Sequence, residues 1–213
     1  MKVRHLLLLS VILVITVSWL TFSKTGHRIR SLYFPKQHTS YPLKNGLFEK
    51  LKLKAAIAAK FVSQKRLNES VCFLVDMSLP SGQNRFFIYN LKSDSLQSLG
   101  LVAHGNCFEY WLEGRRYSNV VGSGCTSLGR YKIGNHYTGK FGYSYKLLGL
   151  DSSNNKAFER TVVLHAHSCI PESEVENEIC QSNGCPTVAP MFLEQLKKII
   201  NTSIKPVLLW IYE

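Results

Sequence analysis

The chain has 213 residues, enough for one sizeable domain plus a leader, and its 45% hydrophobic and 11% aromatic content can build a packed core. Lys and Arg number 26 against 14 Asp and Glu, a formal charge of +12 that suits an anionic partner such as lipid headgroups or an acidic wall polymer. No basic run dominates and no DNA- or RNA-binding motif is present, so nucleic acid is excluded as the expected partner.

Met1 to His5 is a short basic segment, and Leu6 to Phe22 follows without a charge, rich in Leu, Ile and Val. That pattern fits a secretory signal or a short membrane anchor. The anchor is favoured, because no small-x-small cleavage site is clear around Ser18 to Ser23. Either way the bulk of the chain is expected outside the cytoplasm, in the cell envelope, with contact to the inner membrane through the N-terminal segment. Residues 24–46 carry Gly, Pro, Ser, Tyr and scattered basic residues without a period, and read as a tether. Residues 47–213 read as the folded domain.

Leu47 to Arg66 repeats apolar residues at three- and four-residue steps (Phe48, Leu51, Ala55, Ala58, Ala59, Val62) and is expected to be a helix whose stripe packs on the domain. From Val71 the pattern changes to strands. Val71–Met77 and Arg85–Asn90, separated by Pro80–Asn84, form a hairpin signature, and Leu96–His104 reads as a third strand. Further strands are expected at Gly129–Ile133, Tyr143–Leu150, Arg160–His165 and Val207–Tyr212, with Gly134-Asn135, Gly139 and Gly142 as breaks between them. Ala189–Asn201 reads as a helix. Strands are not separated by regular helices, so a doubly wound sheet is not expected. The fold class is mainly β (α+β), a sandwich or partly open barrel with one or two packed helices.

The six cysteines stand at 72, 107, 125, 169, 180 and 185, with no C-x-x-C zinc pattern. An exported chain can form disulfides, and Cys107 with Cys125 and Cys169 with Cys180 are candidate bridges. Cys185 lies in Ser182-Asn183-Gly184-Cys185-Pro186-Thr187, a loop framed by Gly and Pro and followed by the second helix. His165 closes the apolar run Val162-Val163-Leu164, with sixteen intervening residues before Ser182. A thiol attacks only as the thiolate, and a nearby imidazole and the N–H groups of a helix start both favour that form. Cys185 is therefore the candidate nucleophile and His165 its base, with the amides of Gly184 and Cys185 as candidate oxyanion donors. Pro186 has no N–H to contribute. His167, two residues past His165, is a candidate substrate or orienting contact. His165 and His167 with Cys185 could instead hold zinc, but no carboxylate or further ligand stands at motif spacing.

These residues resemble a known family. His165 followed at this spacing by Ser182-Asn183-Gly184-Cys185-Pro186 is similar to the YkuD-like L,D-transpeptidases, and more closely to the murein L,D-transpeptidase catalytic domain family, which carries Ser-x-Gly-Cys-Pro. Val102-Ala103-His104-Gly105, Tyr117-Ser118-Asn119, Ser127-Leu128-Gly129-Arg130-Tyr131, Gly139 to Ser144 and Glu159 to His165 fit further elements of that pattern, and the resemblance covers residues 70 to 200. It implies that Cys185 attacks the peptide carbonyl of a peptidoglycan stem, that His165 takes and returns the thiol proton, and that the Ala166 carbonyl orients the imidazole. It also implies that Ser182 and Gly184 support the nucleophile, and that His104, His167, Asn119 and Ser127 are candidates to touch substrate. No metal or organic cofactor is implied. An amine acceptor makes a cross-link, whereas water gives carboxypeptidase or amide-hydrolase activity. A non-catalytic wall-binding protein on the same fold is the alternative. Asn183 stands where the commoner motif has His, and Pro186-Thr187 where it has an apolar residue followed by Arg or Asn. The pair Cys169 and Cys180 has no counterpart in the pattern.

Overall fold

The structure is a computed structural model that describes residues 45–213; the segment read as leader and the tether up to residue 44 lie outside the described residues, and the last two residues assigned to the tether, Asn45 and Gly46, belong instead to the first helix. Among the described residues two helices and nine strands follow one another in the order α1 (Asn45–Lys65), β1 (Val71–Asp76), β2 (Phe86–Asn90), β3 (Ser95–Gly100), β4 (Val102–Ala103), β5 (Gly129–Gly139), β6 (Gly142–Gly149), β7 (Val163–Ala166), β8 (Thr187–Val188), α2 (Pro190–Thr202) and β9 (Leu208–Tyr212). All nine strands belong to one sheet, ordered β3-β2-β1-β9-β5-β6-β7-β8-β4. The pairs β1/β9 and β7/β8 are parallel and the other pairs antiparallel.

The mainly β reading holds, and the sheet nearly closes on itself. Its two edge strands, β3 and β4, are neighbours in sequence, separated only by Leu101. The expected single strand Leu96–His104 is thus two strands at opposite ends of one sheet, because the chain must cross the gap there. Arg85 stitches that gap. Its fully buried guanidinium donates from Nε and Nη2 to the Val102 carbonyl at 2.9 and 2.7 Å, and from Nη1 to Leu79 O at 3.1 Å. These carbonyls supply the hydrogen bonds that a buried cation needs.

Alternation along β1 sends side chains to two cores. Phe73 and Val75 join Phe86, Tyr131, Leu147 and Ile211 on the face covered by Phe192, Leu193 and Leu196 of α2. Cys72 and Leu74 join Phe87, Tyr89 and Leu208 on the face covered by Leu51, Ala55, Ala58 and Val62 of α1. The apolar stripe of α1 therefore packs on the sheet as its period required. Lys50 pairs with the buried Asp76 at 2.9 Å, and Lys54 lies over the rings of Trp210 and Tyr212. No described helix is long and apolar enough to cross a membrane.

Two strand boundaries also differ from expectation. Gly134-Asn135 does not end β5. The strand runs on to Gly139, with an irregularity between Ile133 and His136 that absorbs the small residues. Arg160 and Thr161 precede β7 rather than opening it, in a turn where Thr161 has φ 55°.

Candidate active site

The parallel pair β7/β8 assembles the site. His165 lies opposite Thr187 and Ala166 opposite Val188. The loop carrying Cys185 enters β8 from Ser182, which is itself bridged to Gly105 beyond β4. Ser182 N–H donates to His104 O at 2.8 Å, and Asn106 N–H donates to Ser182 O at 2.7 Å. Within the loop, Ser182 Oγ donates to Cys185 O at 2.7 Å and accepts the Gly184 N–H at 3.1 Å. Gly184 has φ 106°, a conformation that favours glycine.

Cys185 and His165 line one cavity of about 180 Å³, whose wall also includes Phe141, His167, Asn183 and Thr187. Two larger recesses, of about 490 and 460 Å³, lie elsewhere, and neither is lined by a Cys or a His. Cys169 and Cys180 also line the cavity, and their disulfide staples the segment between base and nucleophile. A second disulfide, Cys107–Cys125, ties the loop that follows β4. Both candidate bridges are formed, leaving Cys72, buried, and Cys185, half-buried, as free thiols among the described residues.

The imidazole is fixed on three sides. Its Nδ1 meets Ala166 O at 3.0 Å, its Nε2 meets Thr187 Oγ1 at 3.1 Å, and Phe141 stacks on its face with ring centroids 4.5 Å apart. Only an N–H can pair with a carbonyl, so Nδ1 carries the proton and Nε2 presents its lone pair. Burial holds the His165 pKa below the usual imidazole value, opposed by the Ala166 carbonyl. The ring is therefore neutral at pH 7, as a base must be. Burial likewise pushes the Cys185 thiol up, opposed by a backbone contact with Val163 and by the Arg160 guanidinium. Cys185 Sγ makes no hydrogen bond to His165 among the described residues.

The other candidates fall into two groups. His167 lines the cavity, where its Nδ1 accepts the Cys169 N–H at 3.1 Å. His104 does not. It is buried, its Nδ1 is 3.1 Å from Arg85 Nη2, and it belongs to the seam between the sheet edges. The side chain of Asn119 is spent on Ser152 O and Asn155 Oδ1, and the buried Ser127 on Tyr131 and Arg160. None of these three is among the residues that line the cavity. The Gly184 N–H is donated to Ser182 Oγ, whereas the Cys185 N–H has no hydrogen-bond partner among the described residues. The expected helix Ala189–Asn201 is present as α2, Pro190–Thr202, with β8 between it and the thiol in sequence.

Thr187, named as a departure from the family motif, and Phe141, within the Gly139 to Ser144 element, are not expected from the sequence to contact the base. Thr187 had a signal, since it stands two residues past the thiol in a stretch that alternates, and Phe141 is an exposed aromatic at the tip of the hairpin Gly139–Gly142. Among the described residues no group of three or more His, Cys, Asp or Glu could hold a metal ion.

A family model for the L,D-transpeptidase catalytic domain (YkuD_2) matches residues 44–212. The chain belongs to this family. No curated protein matches it. Among solved structures, this L,D-transpeptidase-family chain is similar to the helical cell shape determining protein Pgp2 (K307A mutant) from Campylobacter jejuni, at 11% identity and a TM-score of 0.44, covering 68% of this chain and 47% of that one. It is similar to an L,D-transpeptidase from Mycobacterium smegmatis at 8% identity and a TM-score of 0.39, covering 68% of this chain and 59% of that one. It is also similar to the L,D-transpeptidase LdtMt1 in complex with imipenem, at 9% identity and a TM-score of 0.39, covering 67% of this chain and 59% of that one. The chain thus spans between 47% and 59% of the length of these structures.

Proposed function

We propose that this protein is a cell-envelope cysteine acyltransferase of the L,D-transpeptidase type that acts on peptidoglycan stem peptides. The observation that carries the reading is the pairing in one cavity of a half-buried free thiol, Cys185, with a neutral imidazole, His165, whose Nδ1–H is held by Ala166 O. The apolar segment Leu6–Phe22 exports the domain, as a cleaved signal or a retained anchor, and the charge of +12 favours an anionic wall.

In this mechanism His165 Nε2 accepts the thiol proton and the Cys185 sulfur attacks the stem carbonyl. The oxyanion is met by the free Cys185 N–H. The peptide C–N bond breaks, the leaving amine takes the proton from His165, and a thioester remains on Cys185. An amine of a second stem then gives its proton to His165 and attacks the thioester carbonyl. The thiolate leaves, takes that proton back, and a new amide joins the two stems. Water in place of the amine gives the free acid and carboxypeptidase activity.

The test is intact-mass analysis of the protein after incubation with stem tetrapeptide and, separately, with a carbapenem. A mass increase that maps to Cys185, and is absent in Cys185→Ala and His165→Ala, is expected. A protein that binds peptidoglycan equally well with and without Cys185 and never forms an adduct would be a wall-binding module instead. The missing Sγ–imidazole hydrogen bond is the observation that favours that second reading.

A further inference from the structure

Arg160 has no carboxylate partner among the described residues, yet its guanidinium is half-buried and both of its terminal nitrogens are engaged. Nη1 donates to Ser118 O at 2.7 Å and to Ser127 Oγ at 3.0 Å, while Nη2 donates to Ser123 Oγ at 3.3 Å and to Cys125 O. Every one of these acceptors is neutral. A cation held this way has no protein anion to neutralise it.

The same guanidinium lies against the nucleophile loop. Its Nη2 is 3.4 Å from the point where a Cβ on Gly184 would stand, one residue before Cys185. The glycine therefore lets a positive charge come up to the backbone beside the thiol. Four titratable or charged groups surround Cys185. Tyr131, on β5, is pushed up to about 12 by burial and is a neutral phenol in the working range. His165, on β7, is held below its usual value by burial, and His167 lies beyond it on the cavity wall. Arg160 is the fourth and carries a positive charge at every working pH.

We propose that Arg160 is a positioning residue for thiolate formation at Cys185, supplying a fixed positive charge beside the nucleophile loop. The proposal rests on Cys185 being the nucleophile. A thiolate is favoured by an opposite charge within a few ångströms, and the loop 118–127 acts as the rigid cradle that aims this one.

The experiment is the pH profile of iodoacetamide alkylation at Cys185, read by peptide mass spectrometry, in the wild type, Arg160→Gln and Arg160→Lys. Near-UV circular dichroism and thermal melting establish that each is folded. Folded Arg160→Gln is expected to raise the inflection by about 1 unit or more and to slow alkylation at pH 7 by about tenfold, while Arg160→Lys keeps the inflection near that of the wild type. Equal inflections in the wild type and folded Arg160→Gln overturn the proposal. Should Arg160→Gln unfold, Arg160→Lys decides. Loss of the five-donor fork with an unmoved inflection supports the charge role, and an inflection raised to that of the unfolded chain overturns it in favour of a purely structural clamp.

This readout does not require the stem peptide. An Arg160-dependent inflection without any adduct from stem peptide or carbapenem supports the Arg160 proposal and counts against the acyltransferase reading. Adduct formation with an Arg160-independent inflection overturns the Arg160 proposal alone.

Discussion

Thr187 Oγ1 sits 3.1 Å from His165 Nε2, the nitrogen that has to take the proton of Cys185. The register of β7 against β8 puts the two residues side by side, and the Nδ1–H bond to Ala166 O makes Nε2 the acceptor and the hydroxyl the donor. Thr187 can also reach Cys185 O at 3.3 Å, but its one proton serves one acceptor at a time. The hydroxyl is therefore a competitor for the base. It holds the imidazole in place at rest and has to yield when the thiol engages.

Thr187→Val keeps the branched shape and removes the donor. A neutral hydrogen bond is worth about 1 kcal/mol net, so freeing Nε2 is expected to speed alkylation of Cys185 at pH 7 by about fivefold. Iodoacetamide kinetics in the variant check this. An unchanged or slower rate would mean that the hydroxyl orients the base without competing for it.

The Cys169–Cys180 bridge closes the segment between base and nucleophile with a sequence separation of 11. Chain-entropy arguments give a loop of that size about 3 kcal/mol of stabilisation. Cys169→Ser with Cys180→Ser is expected to lower the urea midpoint accordingly, and to reduce acylation by more than the folded fraction lost, because both sulfurs line the cavity. Equilibrium unfolding set beside adduct formation, each in the oxidised and the double-variant protein, separates the two effects.

The hairpin, the central strands and the pairing of Cys185 with His165 were legible because each rests on a local pattern: alternation, a Gly–Pro frame, an apolar run ending in a polar residue. What was not legible depends on sheet closure. Val102 and Gly100 read as one strand, since nothing local shows that Leu101 turns the chain from one sheet edge to the other. Arg85 next to Phe86 looks like a surface charge until that closure buries it. His104 and Ser127 occupy motif positions, but closure places the first in the seam and the second under Arg160. Arg160 itself was read as part of a strand, and only the folded turn turns its guanidinium toward Gly184.

The His104 seam makes stability depend on pH. Burial first, then the Arg85 charge, lowers the His104 pKa to about 4. The unfolded imidazole titrates near 6.5, so between pH 6.5 and 4 the unfolded chain binds a proton that the fold refuses. Stability is then full above about pH 6.5 and falls as the pH drops toward 4, by about 3 kcal/mol from this one group. Urea midpoints measured from pH 7.5 to 4 should show that decline. In His104→Asn, whose side-chain oxygen can still meet Arg85, the decline should flatten.

Gly184 joins this stability argument to the chemistry. Its φ of 106° strains any other residue, and a Cβ there would lie 2.7 Å from Cys125 O, a backbone atom that the Arg160 clamp and the Cys107–Cys125 bridge hold in place. Gly184→Ala is expected to cost about 1–3 kcal/mol, and relieving the clash is expected to shift the loop that carries Cys185 relative to Arg160. Gly122 is the control. It too has a positive φ, 76°, but a Cβ there meets nothing within 4 Å, so Gly122→Ala pays backbone strain alone. Both variants should lose stability in urea, and Gly184→Ala alone should lose thiol reactivity, by about tenfold or more if its thiolate loses the guanidinium. Equal alkylation rates in the two folded variants would mean that the close approach of Gly184 to Cys125 serves packing and not the position of the nucleophile.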